Sequence, residues 1–160
     1  MVKRYRAVFL ILLVTLLSLC SCARDYEGWK EETIPGVGSI KIPEDMVLLQ
    51  EDKTLYLMYD DTTDKSDALM AGVVYKDVGE GFSEMLYDIL GEDLSYVELL
   101  SSEVFSNSVI IGRNKYSIES ELCEKYFMSI YSNNKSAYFL SNSASVDYEL
   151  LSKIAKSFAE

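Results

Sequence analysis

The stretch that decides the fold class is ALMAGVVYKDVGEGFSEMLYDILG, residues 68–91. Its first nine residues have the composition and alternation of a β-strand, with apolar side chains on both faces. The period then changes, because large apolar residues recur at the i, i+3, i+4, i+7 spacing that places them on one side of a helix. They are Phe82, Met85, Leu86, Ile89 and Leu90, and Gly91 follows as a helix-ending residue. The stretch therefore predicts a strand and then a helix that packs on a sheet.

Further strands are predicted on both sides of this stretch. Before it, residues 38–43 form a short strand, and residues 46–50 and 54–60 form a hairpin. After it, residues 96–105 are predicted as a strand. Residues 109–111 and 116–123 are predicted as a hairpin around Gly112-Arg113-Asn114. Residues 126–132 and 136–141 are predicted as a tighter hairpin around Asn133-Asn134, since asparagine tolerates the left-handed turn conformation.

The chain closes with a second predicted helix at residues 146–159. Asp147 can cap its first turn, because a carboxylate at this position accepts a hydrogen bond from a free backbone N–H. Its apolar stripe consists of Leu150, Leu151, Ile154, Ala155 and Phe158. Consecutive hairpin strands with two helices predict an α+β domain, an antiparallel sheet with two packed helices, at residues 34–160. A polar tether at residues 22–33 and a signal segment at residues 1–21 are predicted before it.

The order of elements resembles the PsbP-like fold, a leading hairpin, more antiparallel strands, a helix, further strands and a closing helix. The residues that suggest it are Ile40-Lys41-Ile42-Pro43 near the domain start and Leu151, Ile154 and Phe158 on the last helix. This fold is known from extrinsic photosystem II proteins, a Ran-binding nuclear import factor and many bacterial lipoproteins. The resemblance implies a sandwich architecture and favours accessory and protein-interaction roles over catalysis. It carries over no binding residues, because fold does not determine function.

The N-terminus has the layout of a secretory signal. Lys3, Arg4 and Arg6 precede an apolar run at residues 7–17. The alternative is a transmembrane helix, which takes about 20 apolar residues. Ser18 and Ser21 interrupt the run before that length, and no Lys/Arg-rich flank follows. The layout favours export.

The end of this segment, Leu19-Cys20-Ser21-Cys22, resembles a bacterial lipobox. The resemblance implies cleavage between Ser21 and Cys22 and attachment of a diacylglycerol to the Cys22 sulfur. The competing interpretation is ordinary cleavage after Ala23. Two or more acyl chains hold a protein stably on a membrane, at about 0.8 kcal/mol per buried methylene. We therefore expect an exported protein, lipid-anchored at the cell membrane or outer envelope.

The charge and residue content exclude several functions. Three of the 15 basic residues and none of the 26 acidic ones lie in residues 1–21, so the remaining chain carries a net charge of −14. Such a surface repels nucleic acid. The sequence contains no histidine, so a Cys-His or Ser-His nucleophile is excluded. Cys123, the one cysteine beyond the anchor, is interpreted as a half-buried strand residue. A pair of carboxylates remains an open alternative for catalysis.

The acidic loop at residues 60–67 has two interpretations. Its four carboxylates suggest calcium, but it has no glycine for the sharp turn and Lys65 interrupts it. A solvated hairpin loop is favoured, and no metal or other cofactor is expected. The sequence thus predicts a membrane-anchored, non-catalytic accessory or protein-interaction module with an envelope protein partner. The alternative is a small-ligand-binding lipoprotein, since its many tyrosines and phenylalanines are residues that line pockets.

Overall fold

A computed structural model of the 160-residue chain describes residues 26–59, 64–75, 87, 89, 96–105, 108–118, 121–142 and 146–158. Within these ranges the chain is mostly antiparallel sheet. The strands are β1 (Trp29–Ile34), β2 (Gly38–Pro43), β3 (Val47–Glu51), β4 (Thr54–Met58), β5 (Met70–Tyr75), β6 (Tyr96–Val104), β7 (Val109–Ile118), β8 (Glu121–Ser132) and β9 (Lys135–Ser141). One α-helix, α1 (Tyr148–Lys156), follows β9, and a 3₁₀ turn covers Lys65–Asp67.

The strands form two sheets. β1 and β2 make a separate hairpin, and the other seven form one sheet in the order β3-β4-β5-β9-β8-β7-β6. Every pair is antiparallel. β5 pairs with β9, which joins the early and late parts of the chain at the centre of the sheet. β3 and β6 are left as the two edges.

The large sheet has two differently covered faces. On the first face, α1 and the β1–β2 hairpin pack against the sheet and make the main hydrophobic core. Its fully buried members include Ile40, Leu57, Met128, Phe139 and Ile154. On the second face, Val73, Tyr116, Phe127, Tyr138 and Leu140 form a smaller cluster, with Tyr75, Ile89 and Cys123 packed against it. The sheet is therefore an inner layer between two sets of apolar contacts.

Two element boundaries lie where the sequence predicts them, and each has a local chemical cause. Asn133 and Asn134 have φ values of 53° and 57° and join β8 to β9 in a two-residue turn. The Asp147 carboxylate accepts hydrogen bonds from the N–H groups of Glu149 (2.9 Å) and Leu150 (3.3 Å), which begins α1. The Asp147 cap and the Asn133-Asn134 hairpin are thus confirmed.

The prediction of two packed helices is corrected, because α1 is the one helix that the described ranges contain as an element. The predicted helix at residues 82–90 lies outside them, except for Tyr87 and Ile89, which are both helical. The fold is consequently a predominantly β member of the α+β class. Residues 29–33, which were assigned to the tether, form most of β1 and pair with β2.

The predicted turn at Gly112-Arg113-Asn114 is wrong, because β7 runs without interruption from Val109 to Ile118. Glycine at position 112 is needed for packing within the sheet and not for a turn. A Cβ atom on this residue would lie 2.4 Å from both the Phe127 ring and the Ser101 carbonyl oxygen. Glycine is therefore needed for the close approach of three adjacent strands.

Candidate binding surfaces

The edge strand β6 exposes a row of large apolar side chains. Val97, Leu99, Leu100 and Val104 are 39%, 60%, 36% and 65% exposed. Scattered exposed apolar residues are ordinary, but a row of them on a sheet edge is a recognised feature of protein-binding surfaces. Within the described ranges, no strand pairs with the outer side of β6.

The register places most of this row on the second face. Val97 lies opposite Tyr116, Leu99 opposite Asn114, and Val104 opposite Ile110. Directly paired residues of antiparallel strands share a face. Ile110 is itself 39% exposed. We name Val97, Leu99, Val104 and Ile110 the edge patch. A bulge between Leu99 and Ser101 lets the apolar side chains stay on this face through a change of register.

The backbone of β6 also offers hydrogen-bonding groups. The Phe105 N–H donates to the Val109 carbonyl oxygen at 3.0 Å. Because alternate residues of an edge strand bond the neighbouring strand, Ser102 and Val104 turn their N–H and C=O groups away from β7. No described strand pairs with these outward groups, so the outer side of β6 combines backbone hydrogen-bonding groups with apolar side chains.

On its first face, β6 carries two carboxylates, those of Glu98 and Glu103. Glu103 accepts a hydrogen bond of 2.7 Å from the hydroxyl of Tyr148, the first residue of α1. Partial burial, and then the bond to Glu103, raise the pKa of Tyr148. Glu98 lies on the same side of the strand, where Lys115 of β7 is opposite Glu98 and Arg113 of β7 is opposite Ser101. β6 therefore presents apolar residues on one face and carboxylates on the other.

A buried polar cluster lies one strand inward from the edge patch. The Asn114 side-chain amide donates to the hydroxyls of Tyr116 (3.0 Å) and Tyr138 (3.4 Å), and the two hydroxyls are 3.3 Å apart. Burial raises the pKa of both phenols. They are therefore neutral hydrogen-bonding groups at physiological pH and are poorly suited to act as bases. Asn114 is 6% exposed, and its Oδ1 atom has no hydrogen-bond partner in the part of the chain that the structure describes.

An open groove of about 450 Å³ lies beside this cluster, on the same face. Its lining includes Tyr56, Lys65, Ala71, Lys125 and Asn142. The Lys125 ammonium donates to the backbone carbonyls of Ser141 (3.1 Å) and Asn142 (3.4 Å). Burial lowers the pKa of Lys125. The ion pairs of the described residues leave Lys125 without a carboxylate, whereas Lys65 pairs with Glu51. The groove thus places a cation in a strongly acidic protein.

Cys123 lies opposite Tyr116 in β8, free and half-buried, as the sequence predicted. In the acidic loop, the Asp64 carboxylate accepts from the Ser66 N–H at 2.9 Å and caps the 3₁₀ turn. This bond is the main cause of the lowered pKa of Asp64. Residues 60–63 lie outside the described ranges. Within the described ranges, no three His, Cys, Asp or Glu side chains lie close enough together to hold a metal ion.

The predicted anchor residues, Ser21 and Cys22, lie outside the described residues, so lipid attachment stays a prediction. Of the described helices, none is long and apolar enough to cross a bilayer. Sequence reasoning missed the edge patch and the Lys125 groove. The alternation of apolar residues in β6 is a local sequence signal that could have indicated the edge patch. The Lys125 groove has no local signal in the sequence, because residues distant in the chain form it.

The chain matches no family model and no curated protein. Its architecture, a seven-stranded antiparallel sheet covered by a leading hairpin and a closing helix, has the PsbP-like fold. A similar solved structure is that of cyanobacterial PsbP (CyanoP) from Synechocystis sp. PCC 6803, with a TM-score of 0.51. The two sequences are 10% identical, and the match covers 82% of this chain and 92% of that chain. At this identity the likeness shows the fold alone.

Proposed function

We propose that this protein is an exported, lipid-anchored lipoprotein that acts as a non-catalytic accessory or protein-interaction module of the cell envelope. The observation that carries the proposal is the edge patch. Natural sheets usually protect their edges with charges, prolines or a covering segment. β6 has two glutamates and a bulge, yet it still exposes Leu99 and Val104 by 60% and 65%. Burial of such side chains contributes about 25 cal/mol per Å² of apolar surface to a complex, before the entropic costs of association are subtracted.

Three further features support this function. The PsbP-like fold also occurs in extrinsic and interaction proteins. The chain has no histidine, and the buried tyrosines have raised pKa values. The lipobox Leu19-Cys20-Ser21-Cys22 supports export and anchoring.

The interaction role is tested by site-specific photocrosslinking in intact cells of the producing organism. A photoreactive residue replaces Val104 in one strain and the exposed Lys53, in the β3–β4 turn, in a second strain. The proposal expects a discrete envelope protein to crosslink from position 104 and not from position 53. If both positions capture the same proteins in proportion to their abundance, the proposed function is wrong.

The anchor is tested separately. Cys22→Ser should abolish metabolic labelling by palmitate and leave an uncleaved precursor, whereas Cys20→Ser should still be labelled. Labelling that persists in Cys22→Ser would show that another residue carries the lipid.

The second candidate function is binding of a small anionic ligand in the groove. The observation that favours it is Lys125, whose partly buried ammonium has backbone partners but, among the described residues, no carboxylate partner. Tyr56 and Ala71 would contact the apolar part of such a ligand. A thermal-shift panel of simple carboxylates and phosphates on the full chain tests this candidate. Stabilisation that is lost in Lys125→Met but retained in Lys53→Met would support it, and an unresponsive panel would exclude these ligand classes.

A further inference from the structure

We infer that β6 binds its partner by strand addition, and that the partner supplies an extended segment that alternates apolar and basic residues. This inference rests on the proposed function and specifies the mode of binding and the chemistry of the partner. In strand addition, backbone hydrogen bonds extend the sheet by one strand, while alternate side chains determine specificity.

The backbone of β6 fits this mode. Ser102 and Val104 turn their N–H and C=O groups outward, as required for a ladder with a new strand. Because this edge strand has nine residues, it can accept a segment of ordinary strand length. The bulge between Leu99 and Ser101 divides the ladder into two parts. The part from Ser101 to Val104 is regular, and we assign the first backbone bonds to it.

The side chains of β6 define the pattern of the partner. An added strand has the same pleat as β6, so its alternate residues would lie beside Leu99 and Val104 on the second face. Apolar residues at these positions would cover the edge patch. The intervening residues would lie beside Glu98 and Glu103 on the first face. Because Lys115 of β7 already lies opposite Glu98, Glu103 is the carboxylate that would attract Lys or Arg and repel Asp or Glu.

Charge also distinguishes a partner from a second copy of this chain. Two β6 strands paired edge to edge would bring their first-face carboxylates close together, and each chain beyond residue 21 carries a net charge of −14. Like-charge juxtaposition opposes such a pair, whereas the same field attracts a basic segment from a distance. The occupant that fits is therefore a foreign basic strand.

The test uses the full-length lipoprotein in lipid nanodiscs and three synthetic nine-residue peptides. The first alternates lysine with valine or leucine. The second replaces each lysine with glutamate. The third repeats the first but is N-methylated at alternate residues on its bonding edge, so that it keeps its charge and side chains but has fewer N–H donors. We expect the first to bind at least about tenfold more tightly than either of the others.

Variants of the protein test the same contact from the other side. Ser102→Pro removes one outward N–H but no bond to β7, since proline is tolerated where the N–H of an edge strand faces solvent. It should weaken the lysine peptide about fivefold, the equivalent of one hydrogen bond of about 1 kcal/mol. Ser102→Ala is the matched control and should bind like the wild type. Glu103→Gln, which can still accept from Tyr148, should weaken it about two- to fivefold. Circular dichroism checks that each variant is folded.

The outcomes separate this inference from the proposed function. If position 104 crosslinks a discrete protein in cells but folded Ser102→Pro binds the lysine peptide as tightly as Ser102→Ala, strand addition is wrong and the interaction role stands. If the glutamate or N-methylated peptide binds as well as the lysine peptide, the inference is likewise overturned. Sedimentation that shows dimers dissociated by Ser102→Pro would assign the edge to a second copy and also refute it. Absence of a discrete crosslink refutes the proposed function itself.

Discussion

The buried tyrosines Tyr116 and Tyr138 should make the free energy of unfolding fall as the pH rises above about 10. Tyr138 is 6% exposed, and its pKa is raised mainly by burial and further by Tyr116. In the unfolded chain a tyrosine titrates near pH 10. Above that pH the unfolded state loses its phenolic proton while the folded state keeps it. Stability from this group is therefore fully present below about pH 10 and is lost as the pH rises further.

The magnitude follows from proton linkage. One pKa unit corresponds to about 1.36 kcal/mol, so at pH 11 the unfolded state gains about 1.4 kcal/mol from ionising this one phenol. Tyr116, whose pKa is also raised, adds a loss of the same sign. Tyr138→Phe removes the Tyr138 contribution. The variant should lose about 1.4 kcal/mol less than the wild type between pH 8 and pH 11, although it is less stable at pH 8 by about 1 kcal/mol for its lost hydrogen bonds.

Urea unfolding followed by circular dichroism at each pH measures both free energies. Tyr131→Phe is the control, because it also removes one hydroxyl but from a ring that is 46% exposed. It should follow the wild-type curve. If Tyr138→Phe and the wild type lose the same free energy between pH 8 and pH 11, the argument that burial holds this phenol neutral is refuted.

Three further substitutions test the packing. Ile154→Ala, which empties a fully buried position between α1 and the sheet, should cost about 2–5 kcal/mol in urea unfolding; a cost below 1 kcal/mol would contradict the assigned core. Gly112→Ala places a Cβ 2.4 Å from the Ser101 carbonyl and the Phe127 ring, so it should cost about 1–3 kcal/mol, and an unchanged melting temperature would show that β6 is not held so closely. Asp147→Ala should cost about 1 kcal/mol through loss of the helix cap, while Asp147→Asn should recover most of it.

The parts of the fold that were predictable are those with a local cause. Asn133-Asn134 predicts a turn, because tolerance of the left-handed backbone conformation is a property of the asparagines themselves. The stripe on α1 and its Asp147 cap are local in the same way. The turn predicted at Gly112 was wrong because the sequence alone does not distinguish a glycine in a turn from a glycine that leaves space for a neighbouring ring, here that of Phe127.

The binding surfaces depend on long-range pairing and were less accessible. The alternation in residues 96–105 indicates a strand, but only the pairing order shows that β6 is an edge. Lys125 is flanked by Glu124 and Tyr126, which predicts an ordinary exposed lysine. It is drawn inward by the carbonyls of Ser141 and Asn142, which follow it by 16 and 17 residues.

The contact between the start of the domain and α1 has a mechanical consequence. The Tyr26 hydroxyl donates to the Lys153 carbonyl at 3.1 Å, and the Lys153 ammonium lies 4.8 Å from the centre of the Trp29 ring. Trp29 pairs with Pro43 at the open end of the β1–β2 hairpin. A tensile load that enters through the N-terminus would unzip this hairpin one hydrogen bond at a time, starting at that pair. The contacts of Tyr26 and Trp29 with Lys153 bear this load before the hairpin does. Trp29→Ala should therefore lower the force of the first opening step in single-molecule pulling. An unchanged force would show that these contacts bear none of the load.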